Sequence, residues 1–393
     1  MTPRKRGARV ALLAAAVAVV AVALVAATAS AATQPIVIGW AFDSKGDMAP
    51  FDGPALAAAQ QQIKKINRRN GVGGRPFQII TCDTQGNKPA RAKACAARLL
   101  GQNADIIFTT CDVDFATPVV QEAINRGKLA IAPCIGTDQM GPKRFGSKGR
   151  LAFSFGNVAQ DEGAAMADYS WKKGWKTAAL ATNTLLVYFK NVVQAFEARF
   201  KQLGGKIVAR ESYQSFANNV QNAVSRLNGV KADVIVTSTA FAELPGIVSG
   251  LRSLGNQTPI INSWAGDGTY WVTKDPQVTN YYAVTYASVF GDDPNAAVNS
   301  LAKAVKAGTG GFVTGAAAID GIATAIRRAG GSTNGLALAA QLEKFKKVPT
   351  ISGLVSFSPT LHSVFGRQYR VIRIHNNKAK VVGSVVAGAV PKI

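Results

Sequence analysis

The sequence predicts an α/β fold made of two doubly wound lobes with a ligand cleft between them. Three observations carry this. Short apolar runs alternate with helical segments, the pattern of parallel strands covered by helices on both faces. The alternation occurs twice, in two units of similar size. The residues just past the strand ends are polar or aromatic, and open α/β sheets bind ligands at those ends.

The first unit reads in order as a strand over 35–40, a helix over 54–69 and a turn at Gly71-Val72-Gly73-Gly74. A strand over 77–82 and a helix opened by Pro89 follow, with Pro at a first-turn position. Next come a strand over 105–110, a helix over 118–126 opened by Pro118, and a strand over 129–133. The second unit runs helix 162–171, strand 177–182 and an amphipathic helix over 191–203. In that helix Val192, Val193, Phe196, Phe200 and Leu203 share one face, and Gly204-Gly205 stops it. Strands over 206–211, 233–238 and 259–262 alternate with helices over 219–227 and 243–254. The tail over 369–382 alternates like a hairpin turning at Asn376-Asn377.

Ahead of both units lies a basic segment with Arg4, Lys5, Arg6 and Arg9. An apolar run over 10–27 and the A-x-A triplet Ala29-Ser30-Ala31 follow. This is the pattern of a secretory signal peptide over 1–31. The competing reading is an uncleaved anchor, since about 18 apolar residues is the lower edge of a spanning helix. No cysteine follows the run until Cys82, so a lipoprotein anchor is not expected. The protein is read as exported, periplasmic or associated with the cell envelope.

The formal net charge of +23 is spread along the chain. Its longest clusters are short: Lys64-Lys65 with Arg68-Arg69, and Lys344 with Lys346-Lys347. No concentrated stripe with interleaved aromatics is present, so nucleic acid is not expected as a partner. A soluble basic face is one reading; attraction to an anionic cell-envelope surface is the sharper one.

The four cysteines, Cys82, Cys95, Cys111 and Cys134, fall in one short span. An even count in an exported chain favours disulfides. Neighbouring strands three and four end level, which pairs Cys111 with Cys134. Cys82 then pairs with Cys95 on the following helix. Metal ligation is not expected, because no CxxC occurs and both histidines, His362 and His375, are remote. No cofactor is expected either. Gly71 to Gly74 follows a helix and precedes a strand, the reverse of a phosphate loop. No G-x-S-x-G elbow occurs, and a nucleophile–base pair is poorly supplied, so an exported hydrolase is disfavoured.

The strand ends place Trp40, Phe42, Asp112, Ile135, Gly136, Thr137, Phe241, Trp264 and Asp267 at the expected cleft. Several stretches then resemble the type I periplasmic binding proteins, in particular the branched-chain amino acid receptors of ABC transporters. They are Ile66-Asn67 with Asn70-Gly71-Val72-Gly73-Gly74-Arg75, then Ala130-Ile131-Ala132-Pro133. The stretch from Glu162-Gly163 to Asp168-Tyr169 is similar to the family's "QGxAxADY". Leu203-Gly204-Gly205-Lys206 and Asp320-Gly321 with Ala329-Gly330-Gly331 complete the set.

The resemblance implies two lobes, 35–156 plus 286–357 and 157–285 plus 358–390. Three crossovers would join them, near 155–157, 282–286 and 356–359. It implies a monomer that closes on a small molecule, an amino acid or a related polar or amphipathic solute, and delivers it to an ABC permease. A ligand sensor without a transport partner is the alternative of the same fold. Asp267 would take a ligand ammonium, Tyr188 and Phe241 would wall its side chain, and the segment Ile135-Gly136-Thr137 would meet its carboxylate. Asp112 stands where the family often has Ser. Each also has a structural reading: Trp40 and Phe241 as core, Tyr188 as helix packing, Asp267 as a turn residue, Asp112 as a helix cap.

Overall fold

The computed structural model describes residues 34–214 and 219–393; the expected leader over 1–31 lies outside the described residues. The first unit contains β1 (Ile36–Phe42), α1 (Ala49–Asn67), β2 (Phe77–Asp83), α2 (Pro89–Gly101), β3 (Ile106–Phe108), α3 (Val113–Asn125), β4 (Leu129–Ala132), α4 (Pro142–Phe145) and β5 (Ala152–Asn157). The second contains α5 (Ala159–Lys172), β6 (Thr177–Asn183), α6 (Val187–Gln202), β7 (Lys206–Tyr213), α7 (Asn219–Asn228), β8 (Val234–Ser238), α8 (Glu243–Ser253), β9 (Ile260–Asn262) and β10 (Tyr281–Thr285). The chain continues through α9 (Ala296–Val305), α10 (Phe312–Arg328), α11 (Gly335–Leu342), β11 (Val348–Thr350), β12 (Gly353–Val355), β13 (Ser363–Val364), β14 (Tyr369–His375) and β15 (Lys378–Val385).

Two sheets result. One has the order β13-β5-β4-β3-β1-β2, and the other β15-β14-β10-β9-β8-β6-β7. The first is wholly parallel. The second is parallel from β7 to β10 and ends in the antiparallel β14–β15 pair. Both sheets thus reverse strand order at their first strand, β1 or β6. The apolar runs are buried on both faces: every residue of β3, β4, β8, β9 and β10 is buried. The tail hairpin turns as expected, with positive φ at both Asn376 and Asn377.

Two helices begin earlier than the sequence suggests, for one reason. Pro54 and Pro118 do not open their helices. Pro50 fills the first turn of α1, and Asp112 caps α3 six residues before its Pro. Pro54 and Pro118 each stand at the sixth position of their helix and leave out one i→i−4 backbone bond, which the rest of the helix carries.

The chain passes from the first sheet to the second after β5 and returns after β10. There α10 packs alongside α1 so closely that a Cβ on Gly315 would stand 2.0 Å from the Ala55 carbonyl oxygen. β13 still pairs with β5, so the last passage lies between Val364 and Tyr369, downstream of the expected 356–359. A two-residue bridge carries no strand pattern to read. The three passages are knit by one buried network. The Asn157 amide nitrogen donates to the Tyr286 hydroxyl at 3.3 Å, and its side chain meets both Asp161 and Tyr369. Arg367 donates to the Phe155 carbonyl at 2.9 Å and lies 4.9 Å from the Tyr286 ring centre.

Candidate functional site

The carboxyl ends of the two sheets face each other, and their loops interdigitate. Asp112 ends the extended stretch after β3. Its Oδ1 accepts the N–H groups of Asp114 and Phe115 at 2.8 and 3.3 Å, so it serves as the cap of α3. Burial pushes its carboxyl up to about 7, with Asp114 adding to the effect. The preceding Cys111 is joined to Cys134, their Cα atoms 4.8 Å apart, and Cys82 is joined to Cys95 at 5.5 Å. Both separations suit a disulfide. The Cys111–Cys134 bond therefore ties the loop bearing Asp112 to the loop bearing Ile135, Gly136 and Thr137.

That second loop touches the other lobe. A Cβ on Gly136 would stand 2.6 Å from Tyr188 Cε2 and 3.2 Å from Trp264 Nε1, so only glycine fits there. Thr137 is buried and its carbonyl accepts the Ser363 hydroxyl at 2.6 Å. Phe51, at the start of α1, meets Trp264 edge-on at 5.2 Å and Phe241 at 6.4 Å. Phe241 is held at a φ of +55°, which turns its ring toward Phe51 and Phe189. Several hydrogen bonds cross between the lobes, among them Gln160 to Asp138 at 3.0 Å and Arg370 to Asp293 at 3.1 Å, and two more lie beside the aromatic cluster. The Val187 N–H donates to Asp114 at 3.0 Å, and the Gly310 N–H donates to Asp267 Oδ2 at 2.7 Å.

Between these surfaces a void of about 20 Å³ remains. Asp112, Tyr188, Phe241 and Trp264 line it, with Phe51 and Phe189, and no Lys or Arg is among its lining residues. Larger depressions of about 490, 700 and 640 Å³ lie elsewhere on the surface. We place the site at the small void because both sheets' carboxyl ends converge there.

The structure brings together Asp112, Gly136, Tyr188, Phe241 and Trp264, with Asp267 adjoining. It does not bring Trp40, whose indole is fully buried and packs 4.7 Å from Phe108 in the first lobe's core. Phe42 is half-buried at the end of β1 and packs on the same core. Ile135 is buried beside Gly136, and its carbonyl accepts the Ser154 hydroxyl.

Sequence reasoning missed Phe51 and, more consequentially, Glu162. Glu162, buried at the start of α5, accepts the Trp264 N–H at 2.6 Å on one oxygen and the Tyr188 hydroxyl at 2.8 Å on the other. Burial pushes its carboxyl up to about 8, with Asp267 and Asp161 adding to the effect. Its signal was present, since the family pattern it heads opens on Gln. Asp267 is pushed up to about 7 by burial. Its Oδ2 takes Gly310 and the Thr285 hydroxyl, while Oδ1 is buried without a hydrogen-bond partner; so is Trp264 Nε1. The site can therefore offer a carboxylate oxygen and an indole donor within an aromatic wall. Among the described residues, no group of three or more His, Cys, Asp or Glu is placed to hold a metal ion.

Comparison with known proteins agrees with this fold. The chain is similar to "Leu/Ile/Val-binding protein homolog 3" of Brucella melitensis, 23% identical over 336 residues, covering 84% of this chain and 89% of the relative. It is similar to "Leu/Ile/Val-binding protein BraC3" of Rhizobium johnstonii, 22% identical over 328 residues, covering 80% and 87%. Among solved structures it resembles the branched-chain amino acid transporter substrate-binding protein LivJ of Streptococcus pneumoniae in complex with isoleucine. There the TM-score is 0.75 at 21% identity, covering 90% of this chain and 99% of the other. A solute-binding protein of Rhodopseudomonas palustris in complex with 3,4-dihydroxybenzoic acid gives 0.76 at 17% identity, covering 91% and 99%. The family described as periplasmic binding protein matches residues 35–379, nearly the whole of the two-lobed body. With that span and the twin sheets on view, the chain belongs to the periplasmic binding protein family, whose members are solute receptors and not enzymes.

Proposed function

We propose that this receptor captures a small amphipathic molecule bearing an amine, an amino acid in the first instance, by hinged closure of its lobes. It then delivers that molecule to an ABC permease. The observation that carries the reading is the buried, unpartnered Asp267 Oδ1, on the short turn whose Trp264 lines the aromatic wall with Tyr188 and Phe241. An ammonium gains most from a desolvated carboxylate, and rings suit an apolar side chain. Trp264 Nε1 and the loop at Gly136 face the ligand's other end. A bare aromatic carboxylate is less well suited: it would meet Asp112 with no cation in the lining.

The test is titration calorimetry of the purified protein with leucine, isoleucine, valine, phenylalanine and benzoate. Binding of at least one amino acid, weakened at least about tenfold in Asp267→Asn, supports the reading. Binding of benzoate alone, or an unchanged affinity in the variant, removes the amine assignment. Uptake of the bound amino acid in cells lacking the gene separates transport from sensing.

A further inference from the structure

The two short basic clusters, far apart in sequence, are brought to one surface by the fold. Lys64, Lys65, Arg68 and Arg69 end α1 and are exposed. Helix α10 runs parallel to α1, with Thr309 bonded to Pro50, Gly315 against Ala55 and Asp320 against Gln62. Its carboxyl end therefore sets the exposed Arg327 and Arg328 beside the same tip. The Arg328 guanidinium lies 5.0 Å from the Phe345 ring centre, which places the exposed Lys344, Lys346 and Lys347 next in line.

Basic side chains in a helix's last turn are the ordinary complement of its dipole, and each cluster alone needs no other account. Their convergence is not required by either helix. None of the nine forms an ion pair within 4 Å among the described residues. Three of them, Lys65, Arg69 and Arg327, line a depression of about 490 Å³ whose one lining carboxylate, Asp320, is held by Gln62.

The position of this tip says what it faces. It lies at the amino edge of the first sheet, where Asn67 exchanges hydrogen bonds with Phe77 at the start of β2. The site lies at the opposite, carboxyl edge. Arg75 joins the same end: it donates to the carbonyls of Gln34, Pro35 and Gly331. The chain thus enters the folded body at the basic tip, directly after its apolar segment over 10–27.

We propose that the basic tip of the first lobe is a docking surface for an anionic lipid bilayer. It holds the receptor at the membrane surface. Each Lys or Arg near an anionic leaflet adds attraction, which decays within about 10 Å at 0.1 M salt. Nine cations without ion pairs suit a field of phosphate headgroups.

The experiment is co-sedimentation of the full chain with vesicles of phosphatidylglycerol and phosphatidylcholine, against phosphatidylcholine alone. Three variants are compared with the parent: K65E/R69E/R327E, the neutral K65Q/R69Q/R327Q, and a second-lobe control of equal charge, K206E/K231E/K378E. Unchanged melting temperature and ligand binding show that each has folded. We expect salt-sensitive binding to the anionic vesicles. It should fall at least about tenfold in the first variant, less in the second and little in the control. Equal losses in the control would show a net-charge effect and overturn the surface. So would equal binding to neutral vesicles, or binding to soluble polyphosphate with none to vesicles, which would assign the tip to an anionic polymer instead.

Discussion

Glu162 Oε1 accepts the backbone N–H of Trp264 at 2.6 Å, joining the first turn of α5 to the loop that carries Asp267. A carboxyl at this junction, beside Tyr188 and coupled to Asp267, makes the second lobe's contribution to the cleft sensitive to protonation.

The first expectation is therefore a pH dependence of stability. Folded Glu162 and Asp267 hold their protons up to about 8 and about 7, against 4.5 and 3.8 for the free groups. The folded state binds more protons in that window, so the ligand-free protein should lose stability as pH rises from about 5 to 8. Tyr188, Tyr286 and Asp161 face Glu162, and Tyr270 faces Asp267; none supplies a compensating cation. Differential scanning fluorimetry should show the decline, and Glu162→Gln should flatten it. A parent curve that is level across this range contradicts the assignment.

Binding of an amine should follow the opposite sign. A ligand ammonium favours the ionised carboxylates, so its affinity should rise with pH through the same window while protons are released. Calorimetry in buffers of different ionisation enthalpy measures that release directly. No net proton exchange would mean the ammonium sits elsewhere.

Gly136→Val should obstruct closure, because even its Cβ would stand 2.6 Å from the Tyr188 ring. Ligand affinity should drop at least about tenfold, with the lobes themselves intact. Small-angle scattering with saturating ligand should report a larger radius of gyration than for the parent. Equal radii would show that the loop yields instead.

Replacing Cys111 and Cys134 together by Ser should cost roughly 3 kcal/mol, from the entropy of the 23-residue loop. It should also weaken ligand binding, since the bond ties the two loops that form the first lobe's shelf. The Cys82 and Cys95 pair should cost a similar roughly 3 kcal/mol but leave affinity unchanged, because it joins β2 to α2 away from the cleft. Urea unfolding and calorimetry on both variants separate the two effects.

Fold and cysteine pairing were legible because they rest on local signals. Apolar runs such as Ile106–Phe108 mark buried strands, and the level ends of β3 and β4 bring Cys111 to Cys134. The cleft was legible only in part. Trp40 follows the strand-end rule yet faces the core, because the rule fixes where a strand stops and not which face its last residues present. Phe51 was hidden by taking Pro54 as the start of a helix that begins at Ala49. Glu162 became visible as a cleft residue only when its partners, Tyr188 and Trp264, were brought to it from 26 and 102 residues away. The basic tip shows the same limit, since sequence spacing kept apart what the parallel packing of two helices joins.

The void of about 20 Å³ holds about one water molecule, far less than any amino acid. A solute therefore cannot enter this arrangement; the lobes must part first. Parting breaks the contacts of Val187 with Asp114 and of Gly310 with Asp267. Asp267 is thus occupied in trans by the protein's own backbone, an internal competitor for the group offered to the ligand. The measured dissociation constant is the intrinsic one divided by the fraction of molecules standing open. Hydrogen bonds between the lobes thereby help set the concentration at which the receptor responds.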